Sequence, residues 1–133
     1  MLHGSETWAV TAEDMRKLAR NEASMLRWMC NVSVHNRQSV STLREKLDLR
    51  SISCGVQERR LRWYGHVARM DEDSCVKKCH TLAVEGTCGR GRPRKTWDEV
   101  VKHDLRTLGL TEEMTRDRVL WKCAVREKTR QDK

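Results

Sequence analysis

The residues with the clearest chemical potential lie in one short basic turn that runs from Gly89 to Lys95. Two arginines on either side of a glycine allow an extended backbone to lie deep in the minor groove of A·T-rich DNA, where the negative potential is strongest. A proline then fixes the exit direction of the chain, and the last two cations would neutralise phosphates. We therefore predict nucleic-acid contact from these residues: Arg90, Gly91, Arg92, Pro93, Arg94 and Lys95.

A second basic stretch interleaves cationic and aromatic residues on a segment with helical spacing. Its cations are Arg59, Arg60 and Arg62, and Trp63 and Tyr64 follow directly. One interpretation is that the arginines bind phosphates while the aromatic rings stack on bases. The interpretation that we favour places Trp63 in the apolar core and leaves the three arginines as a solvated face that also contacts phosphate.

Three thiols and an imidazole provide the ligand types of a zinc site: Cys75, Cys79, His80 and Cys88. Their spacing argues against zinc, because structural sites prefer pairs of ligands two to four residues apart, whereas His80 follows Cys79 directly and Cys88 stands alone. The acids at positions 71–73 lack a distant carboxylate that would complete a two-metal site. Adjacent Cys and His side chains also point apart, so they do not form a nucleophile and its base. We expect no metal, no cofactor and no catalytic site in this chain.

The composition limits the size of the fold and the class of partner. The chain has 133 residues, of which 38% are hydrophobic, so it can bury one modest core. A formal charge of +8 favours a polyanionic partner, DNA or RNA first. No stretch approaches the roughly 20 apolar residues of a membrane span, and the start lacks the features of a secretory signal. We expect no membrane partner, a nuclear or cytoplasmic location, reduced thiols, and five Trp residues that each anchor packing.

The spacing of the apolar residues predicts an all-α fold, with about four to five short helices in a loose bundle. Three regions are predicted. Residues 1–70 form a helical region, residues 71–95 form one flexible, Gly/Cys-rich basic linker, and residues 96–133 form a C-terminal helical pair.

Capping residues set the ends of the predicted helices. Thr11 and Thr96 each precede an acid by three residues, which is the pattern of a capping box. Gly109 is placed to end the fourth helix, and residues 126–133 are expected to fray. The predicted helix starts, in chain order, are Thr11, Asn36 or Ser39, Ser51 or Ser53, Thr96 and Thr111.

The Arg-Gly-Arg-Pro core of the basic turn, at residues 90–93, resembles the AT-hook, a short motif that binds the minor groove of A/T-rich DNA. Two other interpretations of the turn stay open. It could serve as a nuclear-import signal, or it could be a solvated basic linker.

Several separated stretches together resemble the C-terminal region of non-LTR (LINE-type) retrotransposon polyproteins. These stretches are Gly4–Trp8, Arg60–Met70, Gly91–Trp97 and Asp117–Trp121, and they occur in the same order as in that family. The resemblance implies a region that follows the palm of a reverse transcriptase and forms a helical, thumb-like extension. Where members commonly have Tyr before the first glycine, this chain has His3.

The resemblance also implies a function. The polymerase motif is absent, and the chain begins at Met1 in mid-pattern, so we expect a truncated copy without catalysis. Basic surfaces of the parent region would hold template RNA or target DNA beside the upstream polymerase domain. We therefore expect a non-catalytic nucleic-acid-binding fragment. The alternative is an inactive structural remnant or a protein-interaction module.

Overall fold

The structure, a computed structural model, describes residues 3–33, 35–36, 38–82, 86, 90–91 and 95–131. Over these residues all of the regular secondary structure is helical, with six α-helices and two short 3₁₀ turns, at Ser5–Thr7 and Glu112–Arg116. The all-α prediction is confirmed. The helices are α1 (Ala12–Met29), α2 (Val40–Leu47), α3 (Ile52–Ala68), α4 (Cys75–Thr81), α5 (Trp97–Leu108) and α6 (Arg118–Gln131).

One helix lies beyond the predicted four to five. The segment predicted as a single flexible linker contains α4, a helix of seven residues. Ion pairs support it locally, because Lys77 reaches back to Glu72 at 2.7 Å and Lys78 reaches back to Asp73 at 3.0 Å. The acids before α4 therefore form ion pairs with its lysines.

Four of the helices, α1, α2, α3 and α5, start at predicted capping residues. Thr11 and Thr96 both form complete capping boxes, the first with Asp14 and the second with Glu99. Of the alternatives left open by the sequence, Ser39 caps α2 and Ser51 caps α3, each through its side-chain oxygen. Gly109 ends α5 with φ +62°, a left-handed conformation that favours glycine.

The last helix begins later than predicted, and the predicted start at Thr111 is wrong. Residues from Glu112 form a 3₁₀ turn, and α6 begins only after Asp117, whose carboxylate accepts hydrogen bonds from the backbone N–H groups of Val119 (2.7 Å) and Leu120 (3.1 Å). The predicted fraying is also wrong for residues 126–131, while residues 132 and 133 lie outside the described residues. The helix continues to Gln131 because Thr129 is buried against the core.

Helix α3 is the central element of the fold. It contacts α1, α4, α5, α6 and both 3₁₀ turns. The main core lies where α5 and α6 pack against its middle, and it consists of Leu61, Val101, Leu105, Leu108, Leu110, Trp121 and Val125. Burial of these apolar side chains is the main stabilising contribution to the fold.

A glycine in α3 allows the closest helix contact of the core. A Cβ atom built on Gly65 would lie 2.2 Å from Nε1 and 2.4 Å from Cδ1 of Trp121, closer than real Cβ contacts. The same indole Nε1 donates a hydrogen bond of 3.0 Å to the backbone carbonyl of Leu61. The glycine therefore lets α6 insert its tryptophan against the backbone of α3.

The tryptophans do not all anchor the core, so that prediction is wrong for three of the five: Trp8, Trp28 and Trp63. Trp121 is buried and Trp97 packs against the main core, with its indole N–H donating to the carbonyl of Glu6 at 2.8 Å. Trp8 is 62% exposed and Trp28 is 84% exposed. Trp28 is exposed because α1 buries only Leu26, so most of the surface of α1 has no neighbour among the described residues.

Replacing Gly65 by Ala tests the close contact. In an ordinary helix this change stabilises by about 1 kcal/mol. Here we expect it to reduce the free energy of unfolding by about 1–3 kcal/mol, because the new methyl group displaces the Trp121 indole. Chemical denaturation followed by circular dichroism measures the difference. Gly86→Ala is the control, since a Cβ there meets nothing within 4 Å. Equal stability of the two variants would contradict the contact.

The single tyrosine of the chain provides a pH-dependent test of the same core. The ring of Tyr64 lies 6.2 Å from that of Trp97 and 6.3 Å from that of Trp121. Burial, reinforced by the negative charge of Glu112 and a hydrogen bond with it, raises the pKa of the Tyr64 phenol to about 12.

Because the folded pKa is raised above the ordinary value of 10.0, this group's contribution to stability is complete below pH 10 and is lost as pH rises towards 12. Since the chain has one Tyr, its ultraviolet phenolate absorbance reports Tyr64 alone. We expect a midpoint near pH 12, shifted downward in Glu112→Gln. A midpoint at pH 10 in the folded protein would mean that the phenol is solvated.

Candidate nucleic-acid interface

An open groove of about 1090 Å³ runs between α3 and α6. Trp121, whose indole packs against Gly65, is among its lining residues, so the contact that joins the two helices also borders the groove. The lining residues are Glu6, Arg59, Arg62, Trp63, His66, Arg69, Arg118, Val119, Trp121, Lys122, Cys123 and Arg126. Six of them are Lys or Arg, and one carries a carboxylate.

Helical spacing places the basic residues of α3 on one wall. Arg59, Arg62, His66 and Arg69 follow one another at intervals of three, four and three residues, which brings them to one face of a helix. Arg69 follows the last residue of α3, and its Nη1 donates to the carbonyl of Thr115 at 2.6 Å. This bond holds one cation of the wall in place.

The opposite wall comes from α6 and is absent from the predicted site residues. Arg118, Lys122 and Arg126 recur every four residues and therefore share one face of the helix. That spacing is the signal that could have found them. It is visible in the sequence, but only the packing of α6 on α3 shows that this face meets Arg59 and Arg62 across a groove.

Charge accumulates in the groove without full compensation. Within the part of the chain that the structure describes, no ion pair links a carboxylate to Arg62, Arg118, Lys122 or Arg126. Glu6 is the one acid among the lining residues. Cations held near one another on two low-dielectric walls produce a positive potential that attracts anions.

Trp63 lies at the edge of the groove and is half-buried, so the prediction that it belongs to the core is wrong. It is four residues from Val67, which is buried, and four residues from Arg59, which is exposed, and so it stands at the border between two faces of α3. Its ring lies 5.4 Å from that of His66 at an interplanar angle of 49°. An aromatic surface is therefore held beside the basic wall.

Arg60 is not part of the basic face, which corrects the prediction that it contacts phosphate. It is only 6% exposed, and its guanidinium binds Asp104 of α5 through both Nε and Nη2 at 2.8 Å. The other oxygen of Asp104 accepts from Gln57 at 3.1 Å. The buried carboxylate is thereby satisfied, and Arg60 serves to join α3 to α5. Arg59 and Arg62 do line the groove.

The described residues of the basic turn are absent from the groove lining. Arg90, Gly91 and Lys95 are exposed, and Gly91 has φ +133°, a conformation that side-chain-bearing residues rarely adopt. None of the three lines the groove. Arg92, Pro93 and Arg94 lie outside the described residues, so minor-groove contact by the turn stays a prediction from the sequence.

The residues considered for zinc make other contacts. Cys75 and Cys79 are one helical turn apart on α4, and their hydrogen bond raises the pKa of the Cys79 thiol. His80 turns towards α5, where its Nε2 lies 2.9 Å from Oδ1 of Asp98 and its ring meets Trp97 edge-on. Cys88 lies outside the described residues. Over the described residues, no three His, Cys, Asp or Glu side chains are grouped to hold a metal ion.

Two further findings bear on function. Among the described helices, none combines the length and the apolar character needed to cross a membrane. Comparisons of the chain with protein-family models, with curated proteins and with solved structures found no match.

Replacing Arg60 by Ala tests its structural role. Because the change leaves Asp104 buried without its cation, we expect a loss of about 3–5 kcal/mol in the free energy of unfolding. Arg62→Ala, two residues further along α3 and exposed, should change stability by less than about 0.5 kcal/mol. Thermal and denaturant unfolding compare the two. Equal small effects would show that Arg60 is a surface residue after all.

Proposed function

We propose that this chain binds nucleic acid in the basic groove between α3 and α6 and catalyses no reaction there. The observation that carries the proposal is the pairing of two cationic walls, one from α3 and one from α6, beside the half-buried side chain of Trp63. Lys and Arg residues that neutralise phosphates supply most of the affinity in non-specific nucleic-acid binding.

The length of the cationic walls favours a polymer over a small anion. From Arg118 to Arg126 the α6 wall covers eight helical steps, which is about 12 Å along a helix. A single phosphate could contact only one or two of these side chains, whereas a phosphodiester backbone could contact all of them in succession. The net charge of +8 would speed the encounter with any such polyanion.

The resemblance to the C-terminal region of LINE-type reverse transcriptases supports the same proposal. We infer that the groove holds template RNA or target DNA next to the palm of a parent polymerase, in the nucleus or the cytoplasm. In this proposal the basic turn from Arg90 to Lys95 adds a second contact, with phosphates or with the minor groove of A/T-rich DNA.

An exposed apolar patch favours a second candidate function, as a protein-interaction module. Met25, Trp28, Met29 and Leu49 are all largely exposed, and most of them border a smaller groove of about 360 Å³ between α1 and the start of α3. Exposed apolar clusters of this kind mark protein contact surfaces. The upstream polymerase domain of the parent protein is a candidate partner, and docking there is compatible with nucleic acid in the basic groove.

A salt titration with a charge-matched control tests the binding proposal. The triple variant Arg118→Ala, Lys122→Ala, Arg126→Ala should weaken binding to labelled oligonucleotides. It should also reduce the slope of log affinity against log salt by about 0.7–0.9 for each phosphate that the variant no longer neutralises. Fluorescence anisotropy at several salt concentrations measures both quantities. The control Arg16→Ala, Arg20→Ala, Lys46→Ala removes three exposed cations from α1 and α2 and so has the same net charge.

The proposal requires the groove variant to lose more affinity than the control. If the two variants weaken binding equally, the effect belongs to net charge and the groove is not the site. A third variant, Arg92→Ala, reports on the basic turn separately. It should reduce affinity for A/T-rich duplex more than for other duplexes if the turn enters the minor groove.

A further inference from the structure

We propose that the groove takes a single strand of nucleic acid and that one base of this strand stacks on Trp63. The inference rests on the proposed function and specifies the form of nucleic acid that the site accepts. Two observations carry it: the close approach of the two walls, and the aromatic surface at their edge.

We expect a groove between two closely packed helices to be too narrow to admit a whole duplex. Because Trp121 lies against the backbone of α3 at Gly65, α3 and α6 pack at close range, and packed helix axes are generally about 8–10 Å apart. The grooves of B-form DNA alone are about 6 and 12 Å wide, so the whole duplex is wider than the space between neighbouring helices. A duplex could touch the rims of the groove, whereas a single strand can lie along its floor.

Single-strand binding also needs an aromatic surface on which an unpaired base can stack, and Trp63 is placed to provide it. Bases in a duplex are covered by their neighbours, while unpaired bases present both faces to aromatic side chains. Trp63 lines the groove together with Arg59 and His66, and the contact with the His66 ring orients the indole. A strand whose phosphates follow the cations would therefore bring a base within reach of this ring.

The other exposed tryptophans do not have this setting. Trp8 and Trp28 are more exposed than Trp63, but neither lines the basic groove. They provide matched controls, because their replacement removes the same side chain without removing an aromatic surface from the site.

The first experiment uses the native chain and needs no variant. Anisotropy compares three labelled probes at one moderate salt concentration: an oligothymidylate, an abasic strand with the same number of phosphates, and a duplex of the same length. We expect the oligothymidylate to bind about ten-fold more tightly than the abasic strand, as stacking of one base predicts. It should also bind more tightly per phosphate than the duplex.

The second experiment assigns the stacking to its residue. Trp63→Leu should reduce oligothymidylate affinity to about that of the abasic strand while leaving the salt slope unchanged. Trp63→Phe should restore part of the loss, and Trp28→Leu should have no effect. If Trp63→Leu lost affinity because it unfolds, its salt slope would also flatten and circular dichroism would show the unfolding. The three-probe comparison uses the native chain, so it does not depend on the folding of this variant.

The outcomes separate this inference from the proposed function. Salt-dependent binding of all three probes with equal affinity, or an unchanged affinity in Trp63→Leu, would overturn single-strand stacking and leave the basic groove as a general phosphate site. If none of the three probes showed salt-dependent binding, the proposed function itself would be overturned, and this inference with it.

Discussion

The structure depends on one contact, in which the indole of Trp121 lies against the backbone of α3 at Gly65. The missing side chain of the glycine gives the indole its space, and the hydrogen bond to the Leu61 carbonyl fixes its direction. A flat ring whose Nε1 edge both packs against Gly65 and donates this hydrogen bond leaves little freedom for the rotation or sliding of α6. This contact therefore sets the register of α6 on α3, and with it the positions of the basic residues on both.

That register brings like charges together, which opposes folding. Two rows of cations share a groove, and the α6 row begins at the first residue of its helix, where the positive end of the helix dipole disfavours cations. Packing around Trp121 and the buried pair of Arg60 with Asp104 must offset this repulsion. The core holds the two rows of cations together although they repel each other. An anion that entered the groove would reduce this repulsion.

Local signals made part of this structure predictable from the sequence. The capping boxes at Thr11 and Thr96 could be predicted because each depends only on an acid three residues away. The all-α class could be predicted from the spacing of the apolar residues. Trp63 and Arg60 were misassigned because α3 is buried on several sides, so that no single apolar stripe identifies its inner face. Burial of Arg60 depends on Asp104, which lies 44 residues away along the chain. Half of the groove was predictable from α3, whereas the α6 half required the tertiary contact.

The stretches that carry the retrotransposon resemblance meet in space. Glu6 of the first stretch accepts the hydrogen bond from the indole of Trp97 in the third, and Tyr64 of the second packs between Trp97 and Trp121. Trp121 belongs to the fourth stretch and contacts Gly65 of the second. These contacts join the four stretches into one continuous packed unit. The same unit borders the groove, so this packing also fixes the positions of the two cationic walls relative to each other.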